Sequence, residues 1–275
     1  MDLLHATILG LVEGLTEFVP VSSTGHLILA SAWMGLDADP ARKAAVDSFN
    51  IVIQAGAWLA CVWHYLPMLL ERAADLRSDD VVRRQRGQRL AVGLGVAFVP
   101  VVIVGLLLRK KIKLLLFGAA PVAIALAVGG VAMIAADLWL RRAPGRRKDL
   151  AELDTKGAVI VGLFQCFSLV PGTSRSMATM VGGMVAGMDR AAAADFAFLL
   201  AIPVLGAATG YEVLKEWRTL VDGVGAVAIT VGLIASFLTG WASISVFIRL
   251  LGKIGLVPFG TYRIIAAAVV WKTLL

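Results

Sequence analysis

The chain has 275 residues, 59% of them apolar and 16% charged, against roughly 45 to 50% and about 25% in an ordinary soluble domain. A mean hydropathy of +0.84, built from Leu, Val, Ile and Ala in long runs, argues against both a soluble enzyme and a disordered chain. Two cysteines, Cys61 and Cys166, provide neither a disulfide framework nor a cysteine metal site. The net charge is +7, but no basic residue precedes Arg42 and the excess clusters in short segments, which reads as the basic loops of a membrane protein and not as a nucleic-acid surface. The start, Met1-Asp-Leu-Leu-His5, lacks the basic segment of a cleaved signal, so the first apolar stretch is expected to stay.

In chain order, the first apolar region, Leu3 to Gly35, is too long for one membrane span and is broken at Pro20-Val-Ser-Ser-Thr-Gly-His26. Uncharged stretches follow at Ser48 to Leu70, Leu90 to Leu108 and Leu114 to Ala136. A second overlong region, Gly157 to Met188, is broken at Pro171-Gly-Thr-Ser-Arg-Ser176. It is followed by Phe196 to Tyr211, Gly223 to Ile248 and Ile254 to Trp271. Crossing the hydrocarbon takes about 20 helical residues. The expected fold is therefore all-α: a polytopic integral membrane protein with six transmembrane helices and two re-entrant helix-loop-helix hairpins.

Both broken regions contain Val-Pro-x-x-Ser, aligning Pro20 with Pro171 and Ser23 with Ser174, and each is followed by three spans. Three spans between copies insert them from opposite sides, giving an inverted repeat with its site expected where the broken segments meet. Residues 1–275 then form a single membrane domain, with repeat 1 at about 1–140 and repeat 2 at about 157–275. One set of loops carries Arg72 to Arg89, Arg141 to Lys156 (Arg146 included), Arg190, Arg249 and Lys253. It is richer in basic residues than the set carrying Arg42, Lys43, the Arg109 to Lys113 cluster, Lys215, Arg218 and Lys272. The richer side is expected to be cytoplasmic. Trp63, Tyr65, Trp139, Trp217 and Trp271 suit an interfacial belt.

Few ionisable groups lie inside the apolar regions, and each such charge is costly enough to mark function. Glu13 and Glu17, spaced i, i+4, put two carboxylates on one helix face, where a cation or a proton must relieve their repulsion. Hard oxygen ligands suit a divalent cation, Mg²⁺ or Ca²⁺. Ser22, Ser23, Thr24 and Gly25 then lead into a helix whose first amides can hold an anion. Ser23 and His26, at i, i+3, are within reach of a proton transfer. The second break supplies the opposite charge, Arg175, among Gly172, Thr173, Ser174 and Ser176. A guanidinium grips phosphate oxygens bidentately, and the turn amides and hydroxyls complete a cradle. Gln54, the only amide in its run, either bonds backbone freed by a break or touches substrate. Arg263 is expected to snorkel towards an interface. Together these groups suggest hydrolysis of a phosphate ester or anhydride on a lipid. The competing reading is a transporter or flippase of an anionic lipid or solute, since inverted repeats with broken helices also build transporters.

Glu13-Gly-Leu-Thr-Glu-Phe-Val-Pro-Val-Ser-Ser-Thr-Gly-His26, Pro171-Gly-Thr-Ser-Arg-Ser176, Phe198-Leu-Leu-Ala-Ile-Pro203 and Val257-Pro-Phe-Gly-Thr-Tyr-Arg263 occur in that order. With them the chain resembles the undecaprenyl pyrophosphate phosphatase family of BacA type, associated with bacitracin resistance. The resemblance implies removal of the terminal phosphate of undecaprenyl pyrophosphate, recycling the lipid carrier of cell-wall (peptidoglycan) synthesis. It also implies a divalent cation and a site on the outer (periplasmic) face of the bacterial inner membrane. By position, Glu13 and Glu17 match the family's acidic pair, Ser23 its nucleophile, His26 its motif histidine and Arg175 its phosphate-binding arginine. The implied partners are the lipid pyrophosphate and membrane lipids, not nucleic acid; a homodimer is compatible with all of this.

Overall fold

A computed structural model describes residues 1–116, 118–142 and 147–274. Arg146, counted above among the basic loops, lies outside them, as do the side chains of Arg109, Lys110, Lys111 and Lys113.

The described residues fold into helices α1 (Leu3–Glu17), α2 (Ser23–Trp33), α3 (Pro40–Val52), α4 (Gln54–Asp75), α5 (Val81–Leu116), α6 (Ala119–Arg142), α7 (Thr155–Cys166), α8 (Arg175–Val185), α9 (Arg190–Val224), α10 (Ala226–Ile254) and α11 (Val257–Leu274). Five helical stretches are long and apolar enough to cross a membrane: Arg42–Asp75, Val81–Leu108, Ala119–Arg142, Arg190–Arg218 and Ala226–Ile254. The stretch expected as a sixth span is α11, an 18-residue helix outside that set.

The chain divides into two compact units, Met1–Trp63 with Ala201–Phe247, and His64–Leu200 with Ile248–Leu275. Each draws on both expected repeats. In the first, Ala6, Leu9, Leu27, Phe49, Ile53 and Leu220 belong to a buried apolar cluster. Gly10 and Gly14 of α1 let its backbone lie directly against α10. A Cβ on Gly10 would meet the Gly232 carbonyl, and one on Gly14 would stand 2.7 Å from the Gly240 nitrogen. Without a hydrophobic force between helices in lipid, such small-residue contacts are what hold them. Ser243 Oγ adds a hydrogen bond to Gly14 O at 2.9 Å. In the second unit α6 and α11 meet the same way, with Gly130 and Gly260 each facing the other's carbonyl.

The two broken regions are local copies of one another. Asp2 caps α1 by accepting from His5 N, as Asp154 caps α7 by accepting from Gly157 N. Ser22 caps α2 through Gly25 N and Ser174 caps α8 through Met177 N. Both second helices end in the same turn, Leu36 N bonding Ser31 O and Met188 N bonding Gly183 O, with Gly35 and Gly187 at positive φ. Every pair stands 152 positions apart, the interval from Asp2 to Asp154. The shared Val-Pro-x-x-Ser string had implied one position fewer. By backbone register Ser22 corresponds to Ser174 and Ser23 to Arg175.

Candidate functional site

In the first hairpin α1 carries Glu13 and Glu17 on its buried face, at 0% and 8% exposure. The helix stops at Glu17, and a tight turn through Pro20 leads to Ser22, whose φ of 75° lies in a region that L-residues avoid. Among the described residues only Ser22 and Ser174 are non-glycine residues at positive φ. Such strain costs on the order of 1–3 kcal/mol and collects at functional sites. The strained turn brings the start of α2 back to α1, and Ser23 Oγ donates to Glu17 Oε2 at 2.5 Å. Ser23 is itself buried.

His26 follows one turn later, half-buried, its Nδ1 2.8 Å from Ser22 O. A carbonyl only accepts, so Nδ1 carries the proton and Nε2 bears the lone pair of the neutral ring. Ser23 and His26 stand three positions apart on α2, and the serine hydroxyl donates to Glu17. Ser22 Oγ accepts from Gly25 N at 3.3 Å. The N–H groups of Ser23 and Thr24 therefore remain at the open end of α2 with no acceptor inside the helix.

In the second hairpin Thr173 N bonds Val170 O and Ser174 Oγ lies 3.0 Å from Ser176 Oγ. Ser176 is fully buried. Arg175 Nη1 donates to Ala197 O of α9 at 3.0 Å. This bond takes one of the five N–H groups of the guanidinium and orients it against α9. Gly172 adopts φ 92°, and a Cβ there would stand 2.6 Å from the Val122 carbonyl, so this position accepts only glycine without a shift.

The Gly172 carbonyl accepts from Arg263 Nη2 at 2.9 Å. Arg263 also donates to Leu126 O and Ala125 O and is 0% exposed. It does not snorkel, because its charge is spread over three carbonyls of α6 and the second break. The sequence signal was there: apolar residues flank it on both sides. Tyr65, assigned above to the interfacial belt, is instead buried at 3% exposure with its hydroxyl donating to Asp195 Oδ1 at 2.7 Å. Trp63, Trp139, Trp217 and Trp271 are exposed. Gln54 is half-buried and opens α4 immediately after the break at Ile53.

Among the described residues no three His, Cys, Asp or Glu side chains gather into a cation cage. Glu13 and Glu17 are the buried carboxylate pair of the first hairpin, oxygen ligands of the kind that Mg²⁺ and Ca²⁺ take. Two carboxylates are what Mg²⁺ takes alongside waters and the phosphates of a substrate.

The family model described as bacitracin resistance protein BacA matches residues 6–269. A protein of Sorangium cellulosum named undecaprenyl-diphosphatase is 48% identical over 269 residues, 97% of this chain and 85% of that protein. Proteins of Polaromonas naphthalenivorans, named undecaprenyl-diphosphatase, and of Rhodospirillum rubrum, named undecaprenyl-diphosphatase 2, are each 42% identical over 98% of this chain. The match covers 95% and 94% of their own lengths.

Proposed function

The chain belongs to the bacitracin resistance protein BacA family, and from that premise we infer that it is a membrane-embedded undecaprenyl-diphosphatase, releasing the terminal phosphate of undecaprenyl pyrophosphate. The observation that carries the reading is the Ser23–Glu17 hydrogen bond at a strained helix break. A buried carboxylate holding a serine hydroxyl is the pairing that activates an oxygen nucleophile.

Glu17 Oε2 draws the proton from Ser23 Oγ as that oxygen attacks the terminal phosphorus in line. The bond to the bridging oxygen breaks, and His26, protonated at Nε2, delivers a proton to the leaving undecaprenyl phosphate. Water, giving a proton to His26 Nε2, then attacks the phosphoserine, and as the phosphorus–Oγ bond breaks Glu17 returns its proton to Ser23 and phosphate leaves. In the first hairpin the amides at the start of α2 and Thr24 are the anion donors; in the second, Arg175 grips phosphate oxygens bidentately and the amides at the start of α8, with Thr173, Ser174 and Ser176, add donors. Glu13 and Glu17 are the residues that would hold a divalent cation, Mg²⁺ or Ca²⁺, which when bound would supply positive charge at the developing oxyanion. Gln54 is assigned to the substrate side.

The proposed architecture has six spans, α11 included, and two re-entrant hairpins formed by α1–α2 and α7–α8 as inverted repeats. The protein would lie in the bacterial inner membrane with its site towards the periplasm, and the prenyl chain would stay in lipid. What supports this is the hairpins' common capping pattern and the loop charge asymmetry.

The test is phosphate release from undecaprenyl pyrophosphate by purified protein in detergent, with Ser23→Ala and Arg175→Ala variants, with and without EDTA. Release that is lost in both variants and suppressed by the chelator is expected. No release by folded wild-type protein across divalent cations overturns the reading in favour of transport, which flux into liposomes would then register.

A further inference from the structure

Gln165 sits in the last turn of α7, on the helix face that also buries Ala158, Val161 and Gly162. Gly162 fits this face against the α5 backbone, where a Cβ would stand 2.7 Å from the Ala97 carbonyl. Gln165 is 0% exposed, and neither Oε1 nor Nε2 has a hydrogen-bond partner among the described residues. Leaving one buried polar group unsatisfied costs on the order of 1–3 kcal/mol, and an amide with both ends unsatisfied is rare. Packing alone does not explain it, since an apolar side chain of that length would fill the same space without the penalty. Solvent does not reach it.

The hairpin register says what it faces. At an interval of 152, Gln165 corresponds to Glu13 and Gly162 to Gly10, the glycine that seats α1 against α10. In the first hairpin the face bearing Glu13 and Glu17 addresses the first residue of α2, as the Ser23–Glu17 bond shows. The corresponding residue in the second hairpin is Arg175. The same face thus carries a carboxylate in the copy suited to a cation and a neutral amide in the copy that holds the arginine. From Gly157 to Val185 Arg175 is the only charge, so an anion meets no carboxylate along this stretch.

We propose that Gln165 is a substrate-binding residue whose Nε2–H donates to a phosphate oxygen held by Arg175, the anion-side counterpart of Glu13. It rests on the pyrophosphate reading above. The unsatisfied amide is then the state of the site without its anion, and the neutral side chain binds phosphate where a carboxylate would repel it.

Full-length wild type is compared with Gln165→Met, Gln165→Asn and Gln165→Glu in detergent, by phosphate release from undecaprenyl pyrophosphate and by the rise in Tm caused by inorganic pyrophosphate with Mg²⁺. Gln165→Met should melt at or above wild type, because the buried amide is gone, while KM rises about 10- to 100-fold, the loss of one hydrogen bond to a charged group. Its pyrophosphate-induced rise in Tm should shrink. Gln165→Asn, which withdraws the donor by one methylene, should show the same KM effect, and Gln165→Glu a larger one from charge repulsion. Wild-type kcat/KM and an undiminished rise in Tm in Gln165→Met, or in Gln165→Asn should the Met variant not fold, overturn the proposal. A wild type that is stabilised by pyrophosphate yet releases no phosphate overturns the phosphatase reading alone, and the difference in stabilisation between wild type and variants still decides the role of Gln165.

Discussion

Ser23 Oγ donates to Glu17 Oε2 at 2.5 Å across the break between α1 and α2. The two residues lie six positions apart, beyond any contact within one helix, so the bond exists only because the turn at Ser22 folds α2 back on α1. If Glu17 is the base, Glu17→Gln keeps the shape and removes the proton acceptor. We expect kcat to fall about 10²- to 10⁴-fold, the usual contribution of a positioned general base, with KM changed less. Steady-state phosphate release separates the two constants. Equal kcat in wild type and Glu17→Gln would remove the carboxylate from the proton path.

Outside the apolar segments, Asp154 begins the second hairpin. Its carboxyl is held below its ordinary value of 3.8, first by the Gly157 N–H that it accepts and then by Lys148, whose Nζ lies 3.1 Å away. A depressed pKa in the folded state contributes stability at pH values above the unfolded value, and that contribution is lost as pH falls through the folded one. Asp154→Ala should therefore lower Tm at pH 7 by the loss of an N-cap, about 1 kcal/mol, and lower it progressively less below pH ~4. Asp154→Asn, which keeps the cap acceptor, should lose only the pH-dependent part. Melting curves of the three proteins across pH check this.

Ser22 and Ser174 combine a cap with positive φ. Alanine removes the hydroxyl and keeps the strain, whereas glycine removes both. Ser22→Ala and Ser174→Ala should each cost about 1 kcal/mol, and the corresponding Gly variants only a few tenths. Thermal unfolding in detergent reads the order. Gly variants less stable than the Ala variants would mean that the positive φ costs an L-residue little at these two turns.

Much of this site was visible in the sequence because a charge in an apolar run is conspicuous: Glu13, Glu17, His26 and Arg175 stand out in stretches otherwise free of ionisable groups. The overlong runs interrupted by Pro, Ser and Thr likewise marked the two breaks. The register between the copies was less legible. Val-Pro-x-x-Ser is a likeness of side chains, whereas the hairpins are matched by backbone caps and positive-φ turns, which a prolyl residue one position off does not disclose. Gln165 escaped notice for the opposite reason to Glu13: an uncharged amide in a helix is unremarkable until its burial without a partner among the described residues is seen. Whether Arg263 reached an interface or the interior depended on which carbonyls α6 and the second break turned towards it, a matter of tertiary contact.

That contact yields the last prediction. Gly172 needs its positive φ and its close approach to Val122, and its carbonyl is one of three that take the charge of Arg263. The two residues lie far apart in sequence but fix one structure, the turn that presents Arg175. Arg263→Lys keeps the charge and loses the planar fork, so one ammonium cannot reach all three carbonyls as the guanidinium does. We expect Gly172→Ala and Arg263→Lys each to lower Tm and to raise KM through displacement of Arg175. The double variant should be less damaged than the sum, with a coupling of about 0.5–3 kcal/mol, the range for residues in direct contact. A double-mutant cycle on Tm and on kcat/KM measures it. Strict additivity in both would show that Arg263 stabilises α6 and α11 without holding the turn that presents Arg175.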